Sequence, residues 1–549
     1  MERLLLWAAG AGITLHQVFR RHEPTPGVAV GSVVVADLAV YAILARFDEL
    51  SKDYSPFIIL VLSGAVAVTS LLLSIALYRL SPFHPLAQFP GPWDYKLTKL
   101  RATFTAYKGF HYKNVKKLHD RYGPIVRVGP NELSISDISA VSAVLGASGL
   151  PKDRWYRARQ NAPDGNMSLI AMTPGTTHAR RRRLWNRGFG RDELVAHSAA
   201  AKMELDVLLN QLDKLADADS PVDITKWLRY YSFDFMGRFA FGESFGLLKA
   251  GADPHGFIAA VEKFTMGLDI IGHLYWVGYS VAVLPGLAKA MLSFRNFARQ
   301  CVEKRLARGT TTSDLWYYLG GEDGAAKDSE KISVAEMARE GGLAIVAGSD
   351  TSANTMMCTL FQLLKSPDSY ARAAAEVDAA IVNGVDIWNN AVDSPKALPY
   401  LTACMDETLR LMPVVPTNGS RGVPAGSGGR IIADRYIPEN TEIYVSPHVL
   451  HHDERYFSPA TEEFRPERWI EPGWNTQREA FIPFSAGPSQ CVGKTLARIE
   501  IILVLSALLH RYELSFPGAW NPRDFEENAR EHVTLDLPQL PVCIKRRKV

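Results

Sequence analysis
The sequence predicts a mainly α-helical fold with a minor β portion, carried behind membrane-spanning helices at the N-terminus. Three observations lead there. Residues 57–78, FIILVLSGAVAVTSLLLSIALY, run for 22 positions without a charge. From about residue 95 onward apolar side chains recur at helical spacing, with no further run of transmembrane length and no internal repeat. Strand signals are fewer and local, such as those at 125–136 and 431–446. Composition agrees with a large packed core: of 549 residues 47% are hydrophobic, 22% charged and 10% aromatic, which excludes collagenous, low-complexity and disordered classes. Lys and Arg (61) against Asp and Glu (58) leave a net charge of +3, too even for a whole-chain nucleic-acid binder. Five cysteines, Cys301, Cys358, Cys404, Cys491 and Cys543, lie scattered with no CxxC pair, which speaks against a disulfide framework or zinc ribbon and fits a reducing compartment.

Residues 1–80 read as an anchor with up to three transmembrane segments, about 4–19, 27–45 and 57–78. The last is long enough: at about 1.5 Å per residue it spans about 33 Å against about 30 Å of hydrocarbon. The first is short for a crossing, and the second carries Asp37 in its middle, where a carboxyl needs a partner or a proton. Arg20, Arg21 and His22 follow the first segment, whereas Asp48, Glu49 and Asp53 outnumber Lys52 after the second. Basic loops stay cytoplasmic. Three crossings would put the N-terminus outside and everything after Arg79 inside; two crossings keep the charge pattern with the N-terminus in the cytosol. A cleaved signal peptide is disfavoured, because Glu2 sits beside Arg3 and two more apolar segments follow. Pro82, Pro85, Pro90 and Pro92 then make 81–95 a stiff hinge, and 96–549 is expected to fold as one body.

Within that body the clearest helix runs from Ser333 to about Lys365, opened by a capping box of Ser333 and Glu336. Gly341, Gly342 and Gly348 interrupt it, each costing roughly 1 kcal/mol relative to alanine. Close helix packing or a flat ligand would each explain them. The two strand stretches are expected as hairpins around Gly129-Pro130-Asn131 and Pro438-Glu439-Asn440.

Residues 484–493, FSAGPSQCVG, form a Gly/Pro-rich loop before a helix over about 494–511 that is nearly all apolar after Glu500, hence buried. Cys491 therefore stands just ahead of a helix N-terminus, whose free N–H groups favour thiolate over thiol. A lone cysteine there is usually inert packing. The neighbouring glycines point further, because they let backbone approach a bulky planar partner.

This loop resembles that of the cytochrome P450 family, whose pattern of Phe, two Gly and Cys is met by Phe484, Gly487, Cys491 and Gly493. The resemblance extends in the expected order over most of 95–549. Glu407-Thr408-Leu409-Arg410 matches the family's Glu-x-x-Arg, Phe464 to Trp469 matches the element supplying a third member, Arg468, and Ala347 to Ser352 matches the oxygen-activation motif. Glu-x-x-Arg alone is a common (i, i+3) surface pair; four motifs in sequence are specific.

The resemblance implies Cys491 as the thiolate metal ligand of haem b, with Phe484, Gly487 and Gly493 shaping its cradle. It implies a buried, purely structural network of Glu407, Arg410 and Arg468. Asp350 and Thr351 become the catalytic pair, Thr351 bonding dioxygen and ordering water while Asp350 relays protons, with Gly348 leaving room for the oxygen. By themselves both would read as solvated or capping residues. In His178-Ala179-Arg180-Arg181-Arg182-Arg183, a run that alone would be a solvated basic face, His178 and Arg182 would meet a haem propionate and the other arginines an acidic electron donor. Two departures stand out. Ser489 occupies the position of the usual basic residue two before the cysteine, so Arg182, His178 and Arg421 must carry more of the propionate binding; Ser485 replaces a more usual glycine.

The implied activity is that of a membrane-anchored monooxygenase inserting one oxygen atom of O2 into a lipophilic organic substrate. Electrons come from NADPH through a separate reductase, for the chain has no helix-opening GxGxxG of its own. The implied location is the endoplasmic reticulum membrane, catalytic domain in the cytosol, and no nucleic acid is involved. The leader and the cysteine loop look like those of fungal members similar to tryprostatin and benzoate hydroxylases, which points by analogy to secondary metabolism, with detoxification as the other use. Rival readings are a reductase-independent haem-thiolate isomerase, dehydratase or peroxygenase, a haem sensor, and a cysteine hydrolase with Cys491 as nucleophile. Pocket positions would be 159–171, 341–351, 414–418 and 528–533, the middle two apolar and small.

Overall fold
The computed structural model describes residues 2–22, 24–47, 54–160, 167–218, 220–278, 285–310, 312–324 and 332–548. The expected acidic loop around Asp48 to Asp53 and positions 161–166 of the first pocket segment lie outside them.

Three helices form the N-terminal part: α1 (Glu2–Arg21), α2 (Pro26–Phe47) and α3 (Pro56–Leu80). Pro26–Arg46 and Pro56–Leu80 are long and apolar enough to cross a membrane, with mean hydropathy 2.2 and 2.5. α1 buries Leu4, Ala8, Gly12 and His16, one stripe at a spacing of four. Gly12 is needed there, since a Cβ would run into the Ala67 carbonyl of α3. Asp37 finds its partner in α3, where the Ser63 hydroxyl donates to its carboxylate. The proline-rich stretch after α3 is tied to the body, with Arg79 Nη1 donating to Leu97 O at 2.8 Å and Arg127 N to Pro90 O at 2.7 Å.

Strands β1 (Ile125–Gly129) and β2 (Glu132–Ile135) make the expected hairpin. It is extended by β3 (Arg421–Gly422) and, after a hairpin of β4 (Arg430–Ile432) and β5 (Arg435–Ile437), by β6 (Glu442–Tyr444), in the order β1-β2-β6-β3 with β2 and β6 parallel. The second hairpin differs from expectation. Its turn is Ala433-Asp434, both at positive φ (48° and 56°), which matches the twist of paired strands, while Pro438 to Asn440 only leads into β6. A small hairpin of β7 (Arg530–His532) and β8 (Thr534–Asp536) completes the elements near the site, and three further strands, Val222–Asp223, Tyr512–Ser515 and Pro541–Arg546, form a separate sheet.

After α4 (Arg154–Gln160), α5 (Thr176–Arg187), α6 (Ile224–Phe241), α7 (Phe257–His273) and α8 (Pro285–Arg308) comes α9 (Val334–Lys365), around which the helical core gathers: α6, α8, α10 (Pro399–Leu411) and α11 (Lys494–Arg511) pack on it. The capping box of Ser333 and Glu336 opens α9 as expected. Its glycines serve helix packing. A Cβ on Gly341 would meet Trp316 and Phe241, one on Gly342 would meet Phe294, and one on Gly348 would meet Met236 of α6. The space at Gly348 is thus filled by a side chain, which corrects the expectation that it leaves room for dioxygen.

The Glu407 network forms as expected. Glu407 accepts from Arg410 Nε (2.9 Å) and Nη2 (2.8 Å), Arg468 Nε (3.0 Å), Trp469 Nε1 (3.0 Å) and the backbone N–H of Arg465 (3.0 Å). Arg410 turns its remaining hydrogens to the carbonyls of His451, Thr461 and Glu463, and Arg468 to those of Phe457, Pro459 and Ala460. All three charged side chains are buried, and breaking such a set by removing one partner costs about 3–5 kcal/mol. It locks α10 to the segment that runs on to the cysteine loop.

Candidate active site
The cysteine loop is closed by a hydrogen bond from Cys491 N to Phe484 O at 2.9 Å. Gly487 sits at φ +66°, and a Cβ there would strike the Leu145 carbonyl, so no other residue fits. Ser485 also adopts a left-handed φ of +59°, which explains why glycine is usual here and costs the serine about 1–2 kcal/mol. Gly493, in contrast, is open: its Cβ position lies 3.9 Å from both Cys491 Sγ and the Phe189 ring.

α11 begins at Lys494 with no side-chain cap, leaving N–H groups of Gly493 and Lys494 to the Cys491 sulfur. Cys491 is exposed, yet protein surrounds its sulfur closely enough that burial is the strongest influence on the thiol. The residue is thus walled by protein and still reachable from outside. The N–H groups and Arg182 pull its pKa down as expected, but burial wins and the net direction is up. In the protein alone the thiol is therefore favoured, and the thiolate needs a metal to displace the proton.

Four basic side chains gather beside the cysteine loop. His178 and Arg182 come from α5, Arg421 from β3, and Lys152 from the segment bridged to β3. Arg182 donates to the Gln490 carbonyl and Asn186. Arg421 Nη1 donates to Tyr156 OH at 3.1 Å, and Lys152 Nζ to Ile170 O at 2.7 Å. None of the four pairs with a carboxylate among the described residues. Burial, Arg421 and Arg182 push Lys152 down to about 7, and burial with Lys152 and Arg182 pushes His178 down to about 4, so His178 is a neutral hydrogen-bonding group at pH 7. Ser489 keeps a buried hydroxyl without a partner among the described residues. A thiol at the helix end, a flanking glycine and a group of basic side chains without carboxylate partners among the described residues fit a planar metal group carrying carboxylates, as haem does.

Lys152 was not singled out by sequence reasoning; it supplies a charge where Ser489 has none. Arg181 leaves the expected donor-facing set, being buried on Glu340 (2.7 Å) and Glu336. Arg180 and Arg183 are exposed.

On α9, Thr351 Oγ1 donates to Ala347 O at 2.6 Å. Asp350 turns away from it, its carboxylate accepting from the Thr534 hydroxyl of β8. Burial pushes Asp350 up to about 6, opposed by Arg229 and Thr534. The pair is thus adjacent in sequence but divided between two partners.

The pocket segments 414–418 and 528–533 converge as expected, joined by Trp155, Asp269 and His273. The lining is not simply apolar: Thr417, Asn418 and Glu531 stand beside Val415 and Val533. Asp269 and His273 escaped sequence reasoning, although two polar residues four apart in the apolar run FTMGLDIIGHLYW were the signal.

A family model described as Cytochrome P450 matches residues 90–543. Among curated relatives, the tryprostatin B 6-hydroxylase of Neosartorya fischeri is 30% identical over 513 residues, covering 91% of this chain and 88% of its own. Cytochrome P450 67 of Uromyces fabae is 32% identical over 532 residues, 94% of each chain, and the cytochrome P450 monooxygenase FCK2 of Fusarium pseudograminearum is 32% identical over 486 residues, 87% of this chain and 85% of its own. With the cysteine loop, the Glu407 network and the long α9 in place, the chain belongs to the cytochrome P450 family of haem-thiolate monooxygenases.

Proposed function
We propose that this chain is a membrane-anchored monooxygenase of fungal secondary metabolism, with its catalytic domain on the cytosolic face of the endoplasmic reticulum and electrons drawn from NADPH through cytochrome P450 reductase. The observation that carries the reading is the Cys491 sulfur at the head of α11, beside basic side chains that lack carboxylate partners. Cys491 would hold the haem iron, and Lys152, Arg182, Arg421 and neutral His178 its propionates. Bound there, the haem supplies dioxygen activation and oxygen transfer. The chain's own part is to place protons and exclude water. Asp350, pushed up to about 6, takes and releases a proton near neutrality, and the Thr351 hydroxyl can leave the Ala347 carbonyl to order water.

The test is a reduced, carbon-monoxide-bound difference spectrum of the membrane fraction. The native chain should give the Soret shift of thiolate ligation and Cys491→Ser should lose it; a native spectrum typical of imidazole ligation would sink the reading. Thr351→Ala should keep the spectrum but uncouple NADPH use from product, whereas turnover independent of NADPH and reductase would point to the isomerase, dehydratase or peroxygenase reading.

A further inference from the structure
Between α4, α7, the loop 414–418 and the β7–β8 hairpin lies a small, partly enclosed cavity with room for about one water. It is lined by Trp155, Asp269, His273, Thr417, Asn418 and Glu531, and Asp269, His273 and Glu531 are 5%, 3% and 4% exposed. Asp269 Oδ1 accepts from Arg159 Nη2 at 3.2 Å. Both Glu531 oxygens are engaged by Thr417, through its N–H at 3.0 Å and its hydroxyl at 2.8 Å. Three polar atoms remain without a partner among the described residues: Asp269 Oδ2, His273 Nδ1 and Asn418 Nδ2. Buried polar atoms are nearly always satisfied, so three of them around one space require a water-sized partner there, a water or a group of the same size and hydrogen-bonding capacity.

The orphans define the ligand. Asp269 Oδ2 accepts, Asn418 Nδ2 donates, and an imidazole nitrogen does either. Arg159 already balances Asp269, burial with Asp269 nearby keeps Glu531 protonated, and burial keeps His273 neutral. A charged group entering this space would find no counter-charge among the described residues that line it. We propose that the cavity seats one hydroxyl of the substrate, an uncharged, water-sized group that both donates and accepts hydrogen bonds, and so orients the substrate. The inference deepens the monooxygenase reading and rests on it for the identity of the pocket.

The test uses the full-length, haem-loaded protein and matched probes on adamantane, decalin and indane scaffolds, each as hydrocarbon, alcohol and carboxylate. Binding is read twice, by the Soret shift and by the rise in unfolding temperature. On at least one scaffold the alcohol should bind about tenfold or more tightly than its hydrocarbon, as a bond to a charged acceptor provides. The double variant Arg159→Met, Asp269→Leu should bring the ratio near one, and His273→Phe, which keeps the edge contact with His111 at 4.6 Å, should lower it should the double variant fail to fold. A ratio near one on every native scaffold, a preference for the carboxylate, or a preference surviving the variants would overturn the proposal. Loss of the thiolate spectrum in the native chain counts instead against the haem-thiolate reading, and the unfolding temperatures still report on the pocket.

Discussion

Around Glu407 every hydrogen-bonding position is used, by two arginines, an indole and a backbone N–H, while around Asp269 a comparable set of buried groups leaves three atoms unpaired. Both clusters lie in the same body, and both take charge out of water. Their difference is in completeness. A network closed on itself can only hold structure, because no atom is left to recognise anything; one that stays open is a poor strut and a good receptor. Stability and binding should therefore respond in opposite ways at the two places.

The largest effect is expected for Glu407→Ala, which strands Arg410 and Arg468: a loss of about 3–5 kcal/mol in chemical denaturation, with little haem retained on purification. A loss near zero would mean that the arginines find other partners and that completeness is not what matters. Next comes Glu500 of α11, which has hydroxyl partners including Ser232 at 3.2 Å but no cation, so that burial pushes it up to about 8 from 4.5. Its protonated form is favoured in the folded state. Its penalty is absent below about pH 4.5, grows as pH rises, and is complete above about pH 8. Glu500→Gln should therefore match the native chain near pH 4.5 and exceed it by on the order of 2–4 kcal/mol at pH 8.5; parallel pH profiles would refute this. Trp469→Phe removes one donor from the closed network and should cost about 1.5–3 kcal/mol, in the range of bonds to charged acceptors. Smallest is His273→Phe in the open cluster, where an orphan nitrogen disappears: melting experiments should place it within about 0.5 kcal/mol of the native chain. Equal losses at Trp469 and His273 would erase the contrast.

The closed network was legible in the sequence because most of it is local. Glu407 and Arg410 are one helical turn apart, and Arg468 and Trp469 sit in a recognisable segment. The same holds for Cys491, whose loop glycines and apolar helix are contiguous, and for α9 with its capping box. The open cluster is drawn from positions 159, 269, 273, 418 and 531, and no spacing rule connects them. Only the fold does. Lys152 was hidden for the same reason, its place beside Arg421 being set by a bridge between distant strands. The turn at Ala433-Asp434 was missed because Ala433 gives no sign of positive φ and Asp434, which tolerates it, stands close to the stronger turn formers Pro438 and Asn440. Gly348 shows the reverse error. A glycine on a motif helix invited a ligand-side explanation, and its neighbour is Met236.

The β7–β8 hairpin reaches both the cavity and α9. Its tip, Val533, holds φ +74° against the cavity, and the next residue, Thr534, grips Asp350. With three residues in each strand, the hairpin keeps neighbouring positions 533 and 534 on two different tasks: one walls the cavity and the other holds a carboxylate of the long central helix.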